Sequence, residues 1–417
     1  MKQAIVGATV FDGIADTYRR DTVVLTEGDR ISDVRSEVER EIPSEYRVEN
    51  ARGLYLFPGL MNVHSHISFM YMVGDLEPQY TRPDTELALH ASRVCRLLLA
   101  QGITTVRDMG GPGQLHLTVR NAISAGELLG PRMIACGQPL GSTGGHGWHI
   151  SVEADGADGL LKAARGQLKR GADFIKVMAS DDPWLGSGTE YTRVCLTDDE
   201  IRAAFDEAHR WGKLACCHVK GSRALASVLE AGADIIDHGA YLTPDLAAMM
   251  AERGVFYDPT LSAHVQSLHP RFARKSRIVW AREHADANAA MDAASGSALQ
   301  AAREAGVKLL VGTDTVGSFA EEVVLLRKNG VSAWDSLMAC TRWPAEALRL
   351  DGDLGTLESG KIADMVAFGS DPATDARALD DVRFVVKGGQ ILRPDELLYG
   401  EDYMHDPIPS LARFSQA

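Results

Sequence analysis

The sequence has little of what would place it outside the ordinary globular enzymes. Six cysteines, Cys95, Cys136, Cys195, Cys216, Cys217 and Cys340, are spread over 417 residues with no C-x-x-C pair and no zinc-finger spacing. They read as reduced thiols inside apolar segments, which excludes a disulfide-stapled scaffold. Long apolar runs are missing too: none approaches the roughly 20 residues of a membrane-crossing helix. Basic stripes are absent, and 57 acidic against 43 basic side chains leave a net charge of −14. That balance disfavours a phosphate-backbone ligand. The start, Met1 to Gly7, enters a β pattern without the apolar core of a signal peptide. A cytoplasmic protein with a small-molecule substrate, and no nucleic-acid or membrane partner, is the expectation.

What is present is organised around Leu56-Phe57-Pro58-Gly59-Leu60-Met61-Asn62-Val63-His64-Ser65-His66. On a strand, side chains at i and i+2 share a side, so His64 and His66 converge. Two imidazoles converging at a strand end can hold a divalent transition metal, most often zinc. Alone, the pair reads rather as one histidine that packs or caps a turn and one on the surface, and the remainder of the chain has to overturn that.

Residues 1–55 alternate in short β runs, Ala4–Val6, Ala8–Phe11 and Thr22–Leu25, separated by turn residues such as Asp12-Gly13. They predict an antiparallel sheet. From His64 the rhythm becomes strand, loop, helix. Apolar runs close at His66, Asp108, Cys136, Met178, His218, His238, Tyr257 and Gly312, and amphipathic helices lie between them. One helix, from Asp198 to Trp211, opens with a Thr197/Glu200 capping box. Eight such units predict an α/β fold, a closed (β/α)8 TIM-like barrel over 56–350. Strand runs return at Gly355–Leu357, Ala363–Phe368 and Val382–Val386, with Lys387-Gly388-Gly389 as a hairpin turn. Residues 1–55 and 351–417 are therefore expected to build one small β-sandwich domain from both termini, ending in an irregular tail over 402–417.

Catalytic groups of such barrels sit where strands end. The polar groups closing the predicted strands are His64 and His66 on the first, Lys176 on the fourth, His218 on the fifth, His238 on the sixth and Asp314 on the eighth. Singly, Lys176 reads as a salt-bridged or snorkelling lysine, and His218 and His238 as satisfied core histidines. All six on one face point to a metal site. Cys216 and Cys217, beside His218, face opposite sides of a strand and read as core.

These residues resemble the amidohydrolase superfamily in its binuclear-metal form, on His64-Ser65-His66, Lys176, His218, His238 and Gly312-Thr313-Asp314. Pro58 to His64 resembles the family's entry into the first barrel strand, and Gly355 to Asp364 its return to the β domain. The resemblance implies two divalent metal ions, zinc by default with cobalt or manganese as alternatives, and a Lys176 carboxylated on its amine whose carbamate bridges them. It implies that His64, His66 and Asp314 bind the buried metal, and His218 with His238 the more exposed one. A bare ammonium could not, since it repels the cations. A metal-bridging hydroxide would attack the substrate carbonyl, with Asp314 as general base and then general acid. Symmetric homo-oligomers are common among such relatives.

Two further segments narrow the expectation. Gly141-Ser142-Thr143-Gly144-Gly145-His146-Gly147 resembles the loop of the branch that holds Xaa-Pro and Xaa-Arg/Lys dipeptidases and ochratoxinase-like enzymes. There His146 is either an oxyanion donor or part of a flexible connector. Tyr241, after His238, either hydrogen-bonds the substrate carbonyl or packs under the helix start at Thr243-Pro244. Where those dipeptidases usually carry two glycines, this chain reads Ala179 to Gly188, with Asp181, Asp182 and Trp184. With Trp148, Trp184 would make an aromatic mouth. The acidic pair would select a cationic leaving group or form a solvated turn. The expected reaction is hydrolysis of a C–N amide bond in an N-acyl amino acid or dipeptide-like substrate, with room for aryl amides and carbamates. A deaminase of cyclic or aromatic amidines, an esterase or lactonase, and a non-catalytic scaffold are the alternatives. Lys176, and Val219-Lys220-Gly221 where a deaminase would place a Glu, count against deamination.

Overall fold

A computed structural model describes residues 1–36, 41–70, 82–181, 193–266, 285–315 and 317–398. The predicted 182–188 stretch with Trp184, and the tail over 402–417, lie outside these residues.

The chain opens with β1 (Lys2–Val10), β2 (Arg19–Glu27), β3 (Arg30–Ser36), β4 (Arg47–Asn50) and β5 (Tyr55–Pro58). The two runs expected over 4–11 are one strand. Gly7 takes a φ of +77°, and the pairing with β2 shifts register between Ile5 and Ala8, so a bulge carries the strand through the break. The sheet is also mixed rather than antiparallel, because β4 and β5 both pair with β1 in parallel.

The central strands are β6 (Leu60–Ser65), β7 (Ile103–Asp108), β8 (Arg132–Ala135), the two-residue β9 (Leu140–Gly141) and β10 (Val152–Glu153), β11 (Phe174–Met178), β12 (Leu214–Val219), β13 (Ile235–His238) and β14 (Phe256–Asp258). All pairings among them are parallel, with helices between. The helix at Asp198–Arg210 carries the Thr197/Glu200 capping box read from the sequence. This is the α/β, TIM-like barrel architecture expected, but not one unbroken sheet. The strands form a three-stranded arc, β6-β7-β8, and a six-stranded arc, β10-β9-β11-β12-β13-β14.

The expected eighth strand at 308–312 runs between the arcs without a ladder, held by isolated bridges such as Tyr257 to Leu309 and Ser65 to Asp314. Backbone bonds still tie it on both sides: Leu310 N donates to Tyr257 O at 2.8 Å and Val63 N to Val311 O at 3.0 Å. The physical reason is Asn62. Its amide accepts from His64 N at 3.2 Å and Thr313 N at 3.3 Å and donates to Thr313 Oγ1 at 2.7 Å, replacing ladder bonds with side-chain ones.

The chain ends in β15 (Met365–Phe368), β16 (Val382–Lys387) and β17 (Gln390–Leu392), which join the first strands in an eight-stranded sheet. The Lys387–Gln390 hairpin is present. Gly355–Leu357 is not a strand: Gly355 takes a φ of +89° as the chain leaves the helix at Arg342–Ala347. Period-2 alternation gives the sheet two apolar faces. Val366, Phe368 and Val385 join the large core under the barrel helices, and Met365, Ala367, Phe384 and Val386 join a separate cluster with Ile5, Val10, Val24 and Leu56. Among the described residues no helix is long and apolar enough to cross a membrane.

Candidate metal centre

Strand alternation explains how the barrel makes a polar mouth over an apolar floor. Val63, Cys136, Phe174, Leu214, Cys216, Ile235 and Leu310 form one buried cluster that includes Ala347 and Leu348. Two residues further along each strand the same side is polar. Phe174 is followed by Lys176, Cys216 by His218, Ile235 by Asp237, and Leu310 by Gly312 and then Asp314. Cys217 faces the helices instead, so both cysteines are core as expected.

His238 directly follows Asp237, and regular alternation would turn it outward. Its φ of +70° re-aims it, and Thr260 and Asp314, at the ends of the next two segments, also lie in the left-handed region at +48° and +53°. Such conformations cost on the order of 1–3 kcal/mol each in non-glycine residues and cluster at functional sites. The imidazoles meet as a result. Ring centroids lie 5.6 Å apart for His64 and His66, 5.0 Å for His64 and His238, and 4.5 Å for His218 and His238. Lys176 Nζ is 3.4 Å from His64 Nε2, and His66 Nε2 is 3.6 Å from Asp314 Oδ1. The structure thus brings all six sequence-predicted residues together.

Their protonation suits metal binding. Burial is the main cause that pushes His64 and His218 well below the usual imidazole range, lowers His66, and takes His238 down to about 3. Neutral rings keep a lone pair for a cation. Burial opposes ionisation of Asp314, but His64, His66, His238 and Lys176 outweigh it and hold the carboxyl well below the usual range. Ligand atoms of His64, His66 and Asp314 all lie within 4.8 Å of one another, and His218 Nε2 is buried without a hydrogen bond. This donor set fits divalent metal. Lys176 fits only if its amine is carboxylated, since the ammonium as drawn would repel a cation beside His64.

His146 is buried and stacks on His218, with centroids 4.0 Å apart and planes at 18°. Tyr241 is not drawn into the cluster in the same way. Its ring packs with Ala240 and Met291, and its backbone N–H donates to Lys220 O at 2.9 Å. Of the predicted mouth residues, Trp148 is exposed and stacks on His149 at 3.6 Å. Asp181 is not in a solvated turn: it is buried and pairs with Arg193 at 3.3 Å.

The sequence reading missed the groups that hold these rings. His66 Nδ1 donates to Gly110 O at 2.6 Å, and Gly110 N donates to Asp108 Oδ1 at 3.0 Å. Asp108 also accepts from Ile67 N at 2.9 Å and pairs with His116, whose Nε2 lies 2.7 Å from Ser68 Oγ. His238 Nδ1 lies 2.7 Å from Thr260 Oγ1. Beneath His64 sit Asp237, Asp258 and Arg107, all essentially without solvent exposure. The available signal was a charged residue inside an apolar strand run, which Arg107, Asp108, Asp237 and Asp258 all are.

The sequence model of the amidohydrolase family matches residues 55–392, from β5 through the barrel and back into the terminal sheet. The chain belongs to the amidohydrolase family. Within it, ochratoxinase from Aspergillus niger is 27% identical over 407 residues, covering 87% of this chain and 82% of that protein. A solved Xaa-Pro dipeptidase with bound methionine in the active site is 27% identical, with a TM-score of 0.84 over 94% of this chain and 100% of that one. A prolidase complexed with N-methylphosphonate-L-proline is 25% identical, again with a TM-score of 0.84 over 94% and 100%. This amidohydrolase therefore falls in the branch of dipeptidases and ochratoxinase-like enzymes that the His146 loop suggested.

Proposed function

We propose that this amidohydrolase, a hydrolase of C–N bonds, cleaves the amide bond of an N-acyl amino acid or a dipeptide-like substrate. The observation that carries the reading is the set of neutral imidazoles and one ionised carboxylate converging at the mouth of the barrel. Relatives named ochratoxinase, Xaa-Pro dipeptidase and prolidase support the substrate class.

His64, His66 and Asp314 would hold one divalent metal and His218 with His238 a second, with Lys176, carboxylated on Nζ, shared between them. Imidazole and carboxylate donors suit zinc, with cobalt or manganese as substitutes. Bound there, such ions lower the pKa of water and polarise a carbonyl.

The protein's own groups then account for the proton and the charge. Water adds its oxygen to the acyl carbon, the C–N bond breaks, and the proton must reach the departing nitrogen. Asp314, ionised and only partly covered, is placed to accept that proton and hand it on. His146, which stacks on His218, would donate to the oxyanion that develops on the former carbonyl oxygen. Tyr241, whose ring packs with Ala240 and Met291, is the second candidate donor. Thr260 and Gly110 keep His238 and His66 from turning during the reaction.

A substrate screen tests the proposal, spanning N-acyl amino acids, Xaa-Pro and Xaa-Lys dipeptides, aryl amides, carbamates and amidines. Release of an amino acid or amine from the acylated compounds is expected. Ammonia released from amidines alone would replace amide hydrolysis with deamination.

A further inference from the structure

His64 has two ring nitrogens in two different environments. Nε2 faces Lys176 at 3.4 Å, on the side of the candidate metals. Nδ1 faces down the barrel, 3.3 Å from Asp258 Oδ2 and 3.6 Å from Asp237 Oδ1. The two carboxylates are not equivalent. Arg107 crosses from β7, donates through Nε to Val63 O at 2.5 Å, and places Nη2 2.5 Å from Asp237 Oδ1. Its distance to Asp258 Oδ2 is 3.8 Å, and both Asp258 oxygens and His64 Nδ1 are buried without a hydrogen bond, so the two groups stand in close contact but out of line. Arg107 is thus committed to Asp237, and Asp258 is left facing the imidazole.

The approach depends on Gly312. A Cβ at that position would collide with the Asp258 carboxylate and with His64 Cβ. The absence of a side chain therefore lets the end of β14 close on the end of β6. A third cation among His64, Asp237 and Asp258 is disfavoured, because the Arg107 guanidinium already occupies one side of that cluster.

We propose that Asp258 is the positioning residue for His64: a small turn of the ring closes the 3.3 Å contact into a hydrogen bond from Nδ1–H, which fixes the Nε2 lone pair toward Lys176. Buried carboxylates behind metal-binding imidazoles set tautomer and ring orientation, and their loss typically costs 10- to 100-fold in metal affinity. The inference rests on the metal-centre reading above. Asp258 touches neither substrate nor metal.

The test is zinc affinity by chelator competition on the full-length wild type, Asp258→Leu and Asp258→Asn, with metal counted per chain. Leu keeps the volume and removes the acceptor; Asn keeps an acceptor oxygen without the charge. We expect the zinc site that His64 would share with His66 and Asp314 to loosen about 10- to 100-fold in Asp258→Leu, with Asp258→Asn between it and wild type. A merely structural role would not produce that partial rescue by Asn. Wild-type affinity in both variants would overturn the role of Asp258 and leave the metal centre standing. If Asp258→Leu does not fold, wild-type affinity in Asp258→Asn alone would overturn it. A wild type that binds no zinc would overturn the metal centre itself.

Discussion

The terminal sheet and the barrel interior are both buried β structure, built on the same alternation, and they bury opposite kinds of side chain. The buried residues of β15 and β16 are apolar on both faces: Met365, Phe384 and Val386 pack on one side and Val366, Phe368 and Val385 on the other. Inside the barrel, alternation gives an apolar floor and then a layer of Arg107, Lys176, Asp237, Asp258 and the imidazoles. Burying apolar surface stabilises by about 25 cal/mol per Å². Burying charge costs several kcal/mol per ion unless it is paired. The sheet therefore stabilises by apolar burial, whereas the polar layer costs stability, in keeping with the catalytic role proposed for it.

Asp314→Asn should break the comparison most sharply. Asn tolerates the left-handed backbone at this position, so the variant should still fold. Turnover should fall about 10²- to 10⁴-fold with the loss of the proton carrier. Near-wild-type turnover would remove Asp314 from the mechanism.

Phe384→Ala, in the sheet, should do the reverse. It removes a fully buried ring and should destabilise by about 3–5 kcal/mol in urea titration. The rate constant per folded molecule should stay unchanged, and a matching loss of rate would mean that the sheet shapes the site.

The smallest effect belongs to the surface. His209 donates to Asp234 at 2.9 Å, and that hydrogen bond, ahead of an opposing burial cost, raises its pKa above 6.5. A raised imidazole pKa stabilises the fold below the unfolded value and loses that contribution as pH rises through the folded one. Because the His209 side chain is 36% exposed, the gain is at most about a few tenths of a kcal/mol. His209→Gln should melt slightly below wild type at pH 5.5 and together with it at pH 8.5. A difference that persists at pH 8.5 would assign the effect to packing.

Much of this was legible because the signal is local. A polar residue closing an apolar run marks a strand end, which is how His64, His66, Lys176, His218, His238 and Asp314 could be grouped before any coordinates. The strand pattern itself was readable, including the Thr197 capping box and the Lys387 hairpin turn. What could not be read depends on three dimensions. Left-handed backbone at His238, Thr260 and Asp314 has no counterpart in residue type, since none is glycine. The missing ladder at 308–312 follows from an Asn62 side chain 251 residues from Thr313. Asp258 follows the run that closes at Tyr257, and its role depends on Gly312 and His64, which only the fold brings beside it.

The central claim is a two-metal centre organised by Lys176, and counting metal tests it most directly. Wild type and Lys176→Ala, each stripped and reloaded with zinc in the presence of bicarbonate, would be measured by elemental analysis per folded chain. The account predicts two ions in wild type and a loss of metal in Lys176→Ala. Two ions in both proteins, or none in wild type, would contradict it.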